Sequence, residues 1–312
     1  MTDRITRKVI IDTDPSADDA VALMLAMVSP ELEILGMTAA FGVCDSARSI
    51  KNILKIQTLC GREEIPAVQG VEMPLVRRME FDDAYCGCDG LSQTGLPDPA
   101  KKEEPGEAWR FMAETVKRFP GQVSIISLAP MTNLALMIQN DPAAAKAAAG
   151  IYTIAGSYGL RPDYENLNPR PEWNLAQDPE AAAVFGSGIP ITAAGRGVTR
   201  RLDNSTIDRR FARAGESEKT KFLRRAVQFN LDHGLEPYSL LVDSAAVCLA
   251  LCPEIAKTVS GHVIVETRGE YTTGQTLFGN SGRFKKQGSF VQAAWDYDWE
   301  KLLSFLEKRV FS

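Results

Sequence analysis

The stretch Val9-Ile-Ile-Asp12-Thr-Asp14-Pro-Ser-Ala-Asp18-Asp19-Ala-Val-Ala-Leu23 decides how this chain is read. Three β-branched residues predict a buried strand, and the apolar run after Asp19 has helical period. Between them, four carboxylates fall within eight residues. Acids packed so closely repel one another, which raises their pKa values unless a cation or hydrogen bonds compensate. Part of the cluster has a purely structural explanation. Ser16, Asp18 and Asp19 suit a helix N-terminus, where backbone N–H groups favour negative charge. Asp12 and Asp14, at the strand exit, are not covered by it. Acids gathered at such a position bind hard cations through oxygen, so the stretch predicts a divalent-cation site.

Working outward, short apolar runs at 8–12, 32–40, 67–69, 123–128, 151–155 and 189–193 alternate with helical-period segments at 20–28, 46–59, 108–118, 132–139 and 179–185. This rhythm predicts an α/β fold with a mainly parallel (mixed) central sheet flanked by helices and a Rossmann-like core. Ligands in such sheets collect at the carboxyl ends of the strands. Segments 79–105 and 157–171 read as loops, and the polar segment 203–219 as a helical excursion. With no internal repeat and no linker, 1–312 reads as a single domain.

Composition narrows the function classes. The chain has 312 residues, 45% hydrophobic and 24% charged, with a net charge of -5. That balance excludes a nucleic-acid or anionic-membrane surface, which needs a basic patch. The local cluster of Arg196, Arg200, Arg201, Arg209 and Arg210 reads as a solvated face. The N-terminus lacks the apolar region of a secretory signal, and no apolar run approaches the ~20 residues of a membrane span. Six cysteines, spaced as Cys86-Gly-Cys88 and Cys248-x3-Cys252, fit no zinc pattern beside only two histidines. Cys248 and Cys252 read as core, and His262 as a plain sheet residue. A cytoplasmic location is expected.

Three kinds of acidic site start this way. An EF-hand loop fails at Ala17, where its turn glycine belongs, and at Leu23, where its bidentate glutamate belongs. An aspartate-based phosphatase of the haloacid-dehalogenase type would use Asp12 as nucleophile and Asp14 as acid/base. It leaves Asp18 and Asp19 without a role, and its later acidic pair has no clear counterpart. The third fits best. Asp12-Thr-Asp14-Pro-x-x-Asp18-Asp19-Ala resembles the N-terminal signature of the inosine–uridine-preferring nucleoside hydrolases. The resemblance continues through Ile34-Leu-Gly-Met-Thr, Phe41-Gly, Gly70-x-x-x-Pro-Leu75, Asp89-Gly-Leu91 and Leu128-Ala-Pro-Met-Thr-Asn-Leu-Ala135. It ends with Asn166, Glu172-Trp-Asn174, Asp178-Pro-Glu-Ala-Ala, Asp243 and Val265-Glu-Thr-Arg-Gly-Glu.

The resemblance implies the nucleoside hydrolase fold and calcium-dependent cleavage of the N-glycosidic bond of a nucleoside or other N-riboside. By position, Ca2+ would be held by Asp14, Asp19, the carbonyl of Leu128 and Asp243. Asp14 would also be the catalytic base. Asp18, Asn166, Glu172 and Asn174 would grip the ribose hydroxyls. Homodimers or homotetramers are common in the family, so an oligomer is expected. The chain departs from the family on the side of the leaving base. Val43 stands where many members carry asparagine, Cys86-Gly where they carry His-Gly, and Val242 where some carry a histidine acid. Three explanations compete: a substitute donor, with Cys86, Tyr158, His233 and Tyr238 as candidates; stacking on the base, by Trp173 or a loop tyrosine; or a ribosyl substrate whose leaving group needs little help. A riboside-binding member with little turnover is the other outcome that Val242 allows.

Overall fold

The computed structural model describes residues 6–79, 81, 83–160, 170–198, 209–211, 214–235 and 240–312. Strand β1 (Arg7–Thr13) lies inside a nine-stranded sheet, third from one edge. Its alternating side chains serve two cores: Val9 and Ile11 join one hydrophobic cluster and Ile10 the other, all fully buried. Two covered faces explain why the strand reads as a continuous apolar run. Burying each of these side chains contributes roughly 1.5–3 kcal/mol.

The remaining strands are β2 (Leu32–Ala39), β3 (Ala67–Gln69), β4 (Val123–Ser127), β5 (Gly150–Ile154), β6 (Ile191–Ala194), β7 (Ala256–Val265), β8 (Thr276–Gly279) and β9 (Ser289–Tyr297). Their order is β3-β2-β1-β4-β5-β6-β9-β7-β8, with β7 antiparallel to both β9 and β8 and the other pairings parallel. The sheet is therefore mixed and mainly parallel, as expected. Chain direction along the sheet reverses between β1 and β4, which opens a crevice at their carboxyl ends.

Helix α1 (Ala17–Met27) follows β1 directly, α2 (Ser46–Cys60) follows β2, and α3 (Ala108–Arg118) precedes β4. Helix α4 (Thr132–Asn140) follows β4. The segment expected as a helix at 179–185 is instead a 3-10 helix, Pro179–Ser187. Asp178 caps it through the Ala181 N–H, Pro179 opens it, and Gly188 closes it at φ 82°. So short a run between a proline and glycines favours the tighter turn. The sixth strand starts at Ile191, two residues later than its apolar run, because Pro190 precedes it. Within 203–219, residues 203–208, 212 and 213 lie outside the described ones; the described end opens a helix at Glu218. The described residues of 79–105 are irregular and are tied back to the sheet edge where the Glu104 N–H donates to the Ala67 carbonyl at 2.7 Å. Among the described residues, no helix is long and apolar enough to cross a membrane.

Candidate active site

Strand β1 delivers the acidic motif into the crevice. Asp12, fully buried, accepts the Thr38 hydroxyl at 2.6 Å and the Asn133 amide at 2.9 Å, both on Oδ1. Its Oδ2 has no partner among the described residues. Burial pushes its carboxyl up to about 7, against those two hydrogen bonds. Asp14 is also buried and accepts the Val43 N–H at 2.8 Å. Burial and the neighbouring Asp19 hold it well above the ordinary carboxyl range. Gly42 makes this seat possible: a Cβ there would lie 1.7 Å from Asp14 Oδ2.

Asp18 and Asp19 occupy the first turn of α1. Asp19 accepts the Thr13 hydroxyl and, at 3.2 Å, the Ser16 N–H, while the Ser16 hydroxyl donates to Asp18. Burial, then Asp18, pushes Asp19 up to about 8. Asp243 lies in the first turn of a later helix, Val242–Leu251, which packs on α1 and β5. Carboxylate oxygens of Asp18, Asp19 and Asp243 lie within 4.8 Å of one another. Burial and the other three aspartates hold Asp243 far above the ordinary range. Desolvated like charges with few donors are stabilised by a cation, and an all-oxygen donor set suits a hard one such as Ca2+. The close-set trio brings in Asp18, expected on the ribose, and does not include Asp14.

The opposite wall starts at the end of β4. Leu128 donates its N–H to the Asp12 carbonyl at 2.8 Å, which sets the Leu128 carbonyl beside the motif. That carbonyl and the Ile154 carbonyl accept the Asn174 amide at 2.8 and 3.1 Å. Asn174 belongs to a short helix, Trp173–Gln177, capped by Glu172. Both carboxylate oxygens of Glu172 take backbone N–H groups: Asn174 at 2.9 Å, Leu175 at 3.2 Å and Gly156 at 3.3 Å. Burial still pushes Glu172 up to about 7, with Arg196 acting in the other direction. The bonds on view make Glu172 a helix cap. Asn166 lies outside the described residues.

The expected base-side residues separate. Cys86 is buried, and its thiol donates to the Val43 carbonyl at 3.5 Å; burial pushes it up to about 12. Tyr158 is a core residue whose hydroxyl donates to the Ala155 carbonyl at 2.7 Å. His233 ends the helix Glu218–Asp232, stacked on Phe229 at 4.0 Å with Nδ1 2.8 Å from the Phe229 carbonyl. Tyr238 lies outside the described residues. Trp173 is 42% exposed and faces Tyr85, 53% exposed, with ring centroids 5.6 Å apart. Asn52 holds the Tyr85 loop to the motif, donating to the Pro15 carbonyl at 3.2 Å and the Asp89 carbonyl at 3.0 Å. Sequence reasoning passed over Thr13, Thr38, Asn133 and Tyr85. Thr13, Thr38 and Asn133 stood inside quoted motifs, and Tyr85 stood beside a quoted cysteine.

A profile of the inosine-uridine preferring nucleoside hydrolases matches residues 9–304. The chain belongs to this family. Curated relatives include the pyrimidine-specific ribonucleoside hydrolase RihA of Salmonella paratyphi A, 36% identical over 275 residues, 86% of this chain and 87% of that protein. RihA of Citrobacter koseri is 34% identical over the same shares. A plant nucleoside hydrolase, PpNRh1, superposes with a TM-score of 0.88 at 30% identity, covering 98% of this chain and 99% of the other. The purine-preferring ribonucleoside hydrolase of Gardnerella vaginalis gives 0.84 at 25% identity, covering 97% and 98%. This nucleoside hydrolase is thus a hydrolase of N-glycosidic bonds, built on a fold that its relatives share over nearly the whole chain.

Proposed function

We propose that this nucleoside hydrolase cleaves ribonucleosides to ribose and free base with a bound Ca2+. The observation that carries the reading is the close-set trio of half-buried Asp18 with buried Asp19 and Asp243, at the crevice between β1 and β4. Asp14, Asp19, Asp243 and the Leu128 carbonyl would hold the ion, and Asp18 is near enough to share in it. Once bound, the ion would supply Lewis acidity to a water molecule.

The chain's own groups do the rest. Asp14, fixed by the Val43 N–H, takes the proton of the attacking water. Asp18, Asn166, Glu172 and Asn174 grip the ribose hydroxyls and orient C1′ toward that water. As the glycosidic bond lengthens, positive charge grows on the sugar, and the surrounding carboxylates stabilise it. The relatives named as pyrimidine-specific make pyrimidine ribonucleosides the first substrates to test. Asp12 argues against the phosphatase alternative, because it is fully enclosed and held by Thr38 and Asn133. A cytoplasmic homodimer or homotetramer remains our proposal for its state, to be checked by light scattering.

The test is ribose release from uridine, cytidine and inosine, with Ca2+ and after chelation. Release that stops on chelation and returns with Ca2+ supports the reading. Release indifferent to chelation overturns the metal assignment. Ribose-dependent binding with no release would instead favour a binding-only member.

A further inference from the structure

The inference here deepens the ribohydrolase reading and rests on it. We propose that the site's preferred substrates are cationic N-ribosides, N-ribosyl pyridinium compounds above all, whose ring departs as a neutral heterocycle.

Three features of the crevice point to such a substrate. The first is the aromatic pair at its rim. Tyr85 and Trp173 meet at 5.6 Å with an interplanar angle of 59°. Tyr85 rides on the loop that Asn52 fastens to the acidic motif, and Trp173 sits between Glu172 and Asn174 on the opposite wall. The pair therefore spans the crevice from both sides and leaves ring faces half-exposed. Faces of Trp and Tyr attract cations more strongly than neutral rings of the same shape.

The second feature is charge. Asp14, Asp18, Asp19 and Glu172 all act on Asp243 across the crevice. A divalent ion and the guanidinium of Arg196 offset only part of this. A site with surplus negative charge concentrates a cationic substrate over a neutral one.

The third is the chemistry left to the leaving group. A neutral pyrimidine departs as an anion unless it is protonated, and the expected donors among the described residues have other partners. The Cys86 thiol donates to Val43, the Tyr158 hydroxyl to Ala155, and the His233 ring lies back on its own helix. Half-buried Val43 and Val242 flank Asp14 and Asp243 with apolar surface. A pyridinium ring needs no proton. Its C1′–N bond breaks with both electrons going to the ring nitrogen, which leaves uncharged. The water oxygen bonds C1′, and the water's proton passes to Asp14 and then to solvent. A pyridinium ring is six-membered, like the base of the pyrimidine ribonucleosides named above as the first substrates to test.

The experiment compares kcat/KM of the Ca2+-loaded enzyme for nicotinamide riboside and uridine, with 7-methylguanosine against guanosine as a second cationic–neutral pair. General-acid help is worth roughly 10²–10⁴-fold, so the cationic member of each pair should lead by about 10² or more. Trp173→Leu and Tyr85→Leu should each cut that lead roughly 2- to 30-fold, through KM for the cation, and Trp173→Phe should restore it. Equal or faster cleavage of uridine overturns the inference while leaving the ribohydrolase reading intact. So does a cationic lead that survives both leucine variants. A hundredfold loss on uridine in Tyr238→Phe, with nicotinamide riboside unaffected, would identify a proton donor and also overturn it. No ribose from any of the four overturns the reading and the inference together.

Discussion

Gly42→Ala isolates the seat of Asp14 from everything else in the fold. Gly42 does not have a positive φ, so the backbone itself tolerates alanine. The added Cβ would lie 1.7 Å from Asp14 Oδ2, 2.4 Å from its Cγ and 2.9 Å from its Cβ. Restoring ordinary contact moves the carboxylate by about 1.5 Å and takes it off the Val43 N–H, where it now sits at 2.8 Å. A hydrogen bond to a charged group is worth about 1.5–3 kcal/mol, and a catalytic group displaced by ~1 Å loses about 10²-fold in rate. We expect kcat/KM to fall at least 100-fold and Ca2+ binding to weaken, with the helical circular dichroism unchanged. In an Asp14→Gly background the same substitution should cost almost nothing further, because every side-chain atom it displaces is gone. Steady-state kinetics on the preferred ribonucleoside and calorimetric Ca2+ titration read both effects. A Gly42→Ala enzyme within threefold of wild type would refute this account of the site.

Asn133→Ala removes the donors to Asp12 (2.9 Å) and to the Ala39 carbonyl (3.1 Å) and the acceptor for the Val71 N–H (3.2 Å). Urea denaturation should show a loss of roughly 3–5 kcal/mol, and a loss under about 1 kcal/mol would contradict the bracing role. Asp12 and Asp19, ordinarily near 3.8, are raised by burial to about 7 and about 8 in the fold. The metal-free fold therefore binds more protons than the unfolded chain, and its stability falls as pH rises from about 4 to 8. The chelated protein should melt higher at pH 5 than at pH 8, and Ca2+ should raise Tm more at pH 8; the opposite slope would sink the argument.

What the sequence made legible follows from the range of each signal. Asp14, Asp18 and Asp19 share one short motif, and the strand–helix periodicity around them placed that motif at a sheet exit. Asp243 comes from a distant helix, and only the resemblance to a family linked it to them. The braces were illegible for a different reason. Thr38 and Asn133 reach Asp12 from β2 and α4, and nothing in local spacing marks one threonine or asparagine as buried against an acid. The pairing of β9 with β6 likewise depends on contacts far apart in the chain. Glu172 was read from its motif as a ribose ligand, and in the fold it also caps the helix beside it, accepting the Asn174 and Leu175 N–H groups together with that of Gly156. A cap needs a carboxylate where the chain turns, and so does a sugar-binding site.

The four motif acids divide by their donors. Asp12 has two strong side-chain donors and a sealed position, so it pins β1 to β2 and α4. Asp14, Asp18 and Asp19 have their donors from the motif itself and from Val43, and they face Asp243 across the crevice. Hydrogen bonds from the protein suffice to hold one buried carboxylate and do not suffice for four within one small volume. The surplus is what a cation would neutralise, and what remains after the cation is what a positively charged sugar would meet. Metal affinity and transition-state stabilisation thus draw on the same desolvated acids. Substituting any one of Asp14, Asp19 or Asp243 should for that reason weaken both together, in proportion, whereas Asp12→Asn should lower stability far more than it lowers Ca2+ affinity.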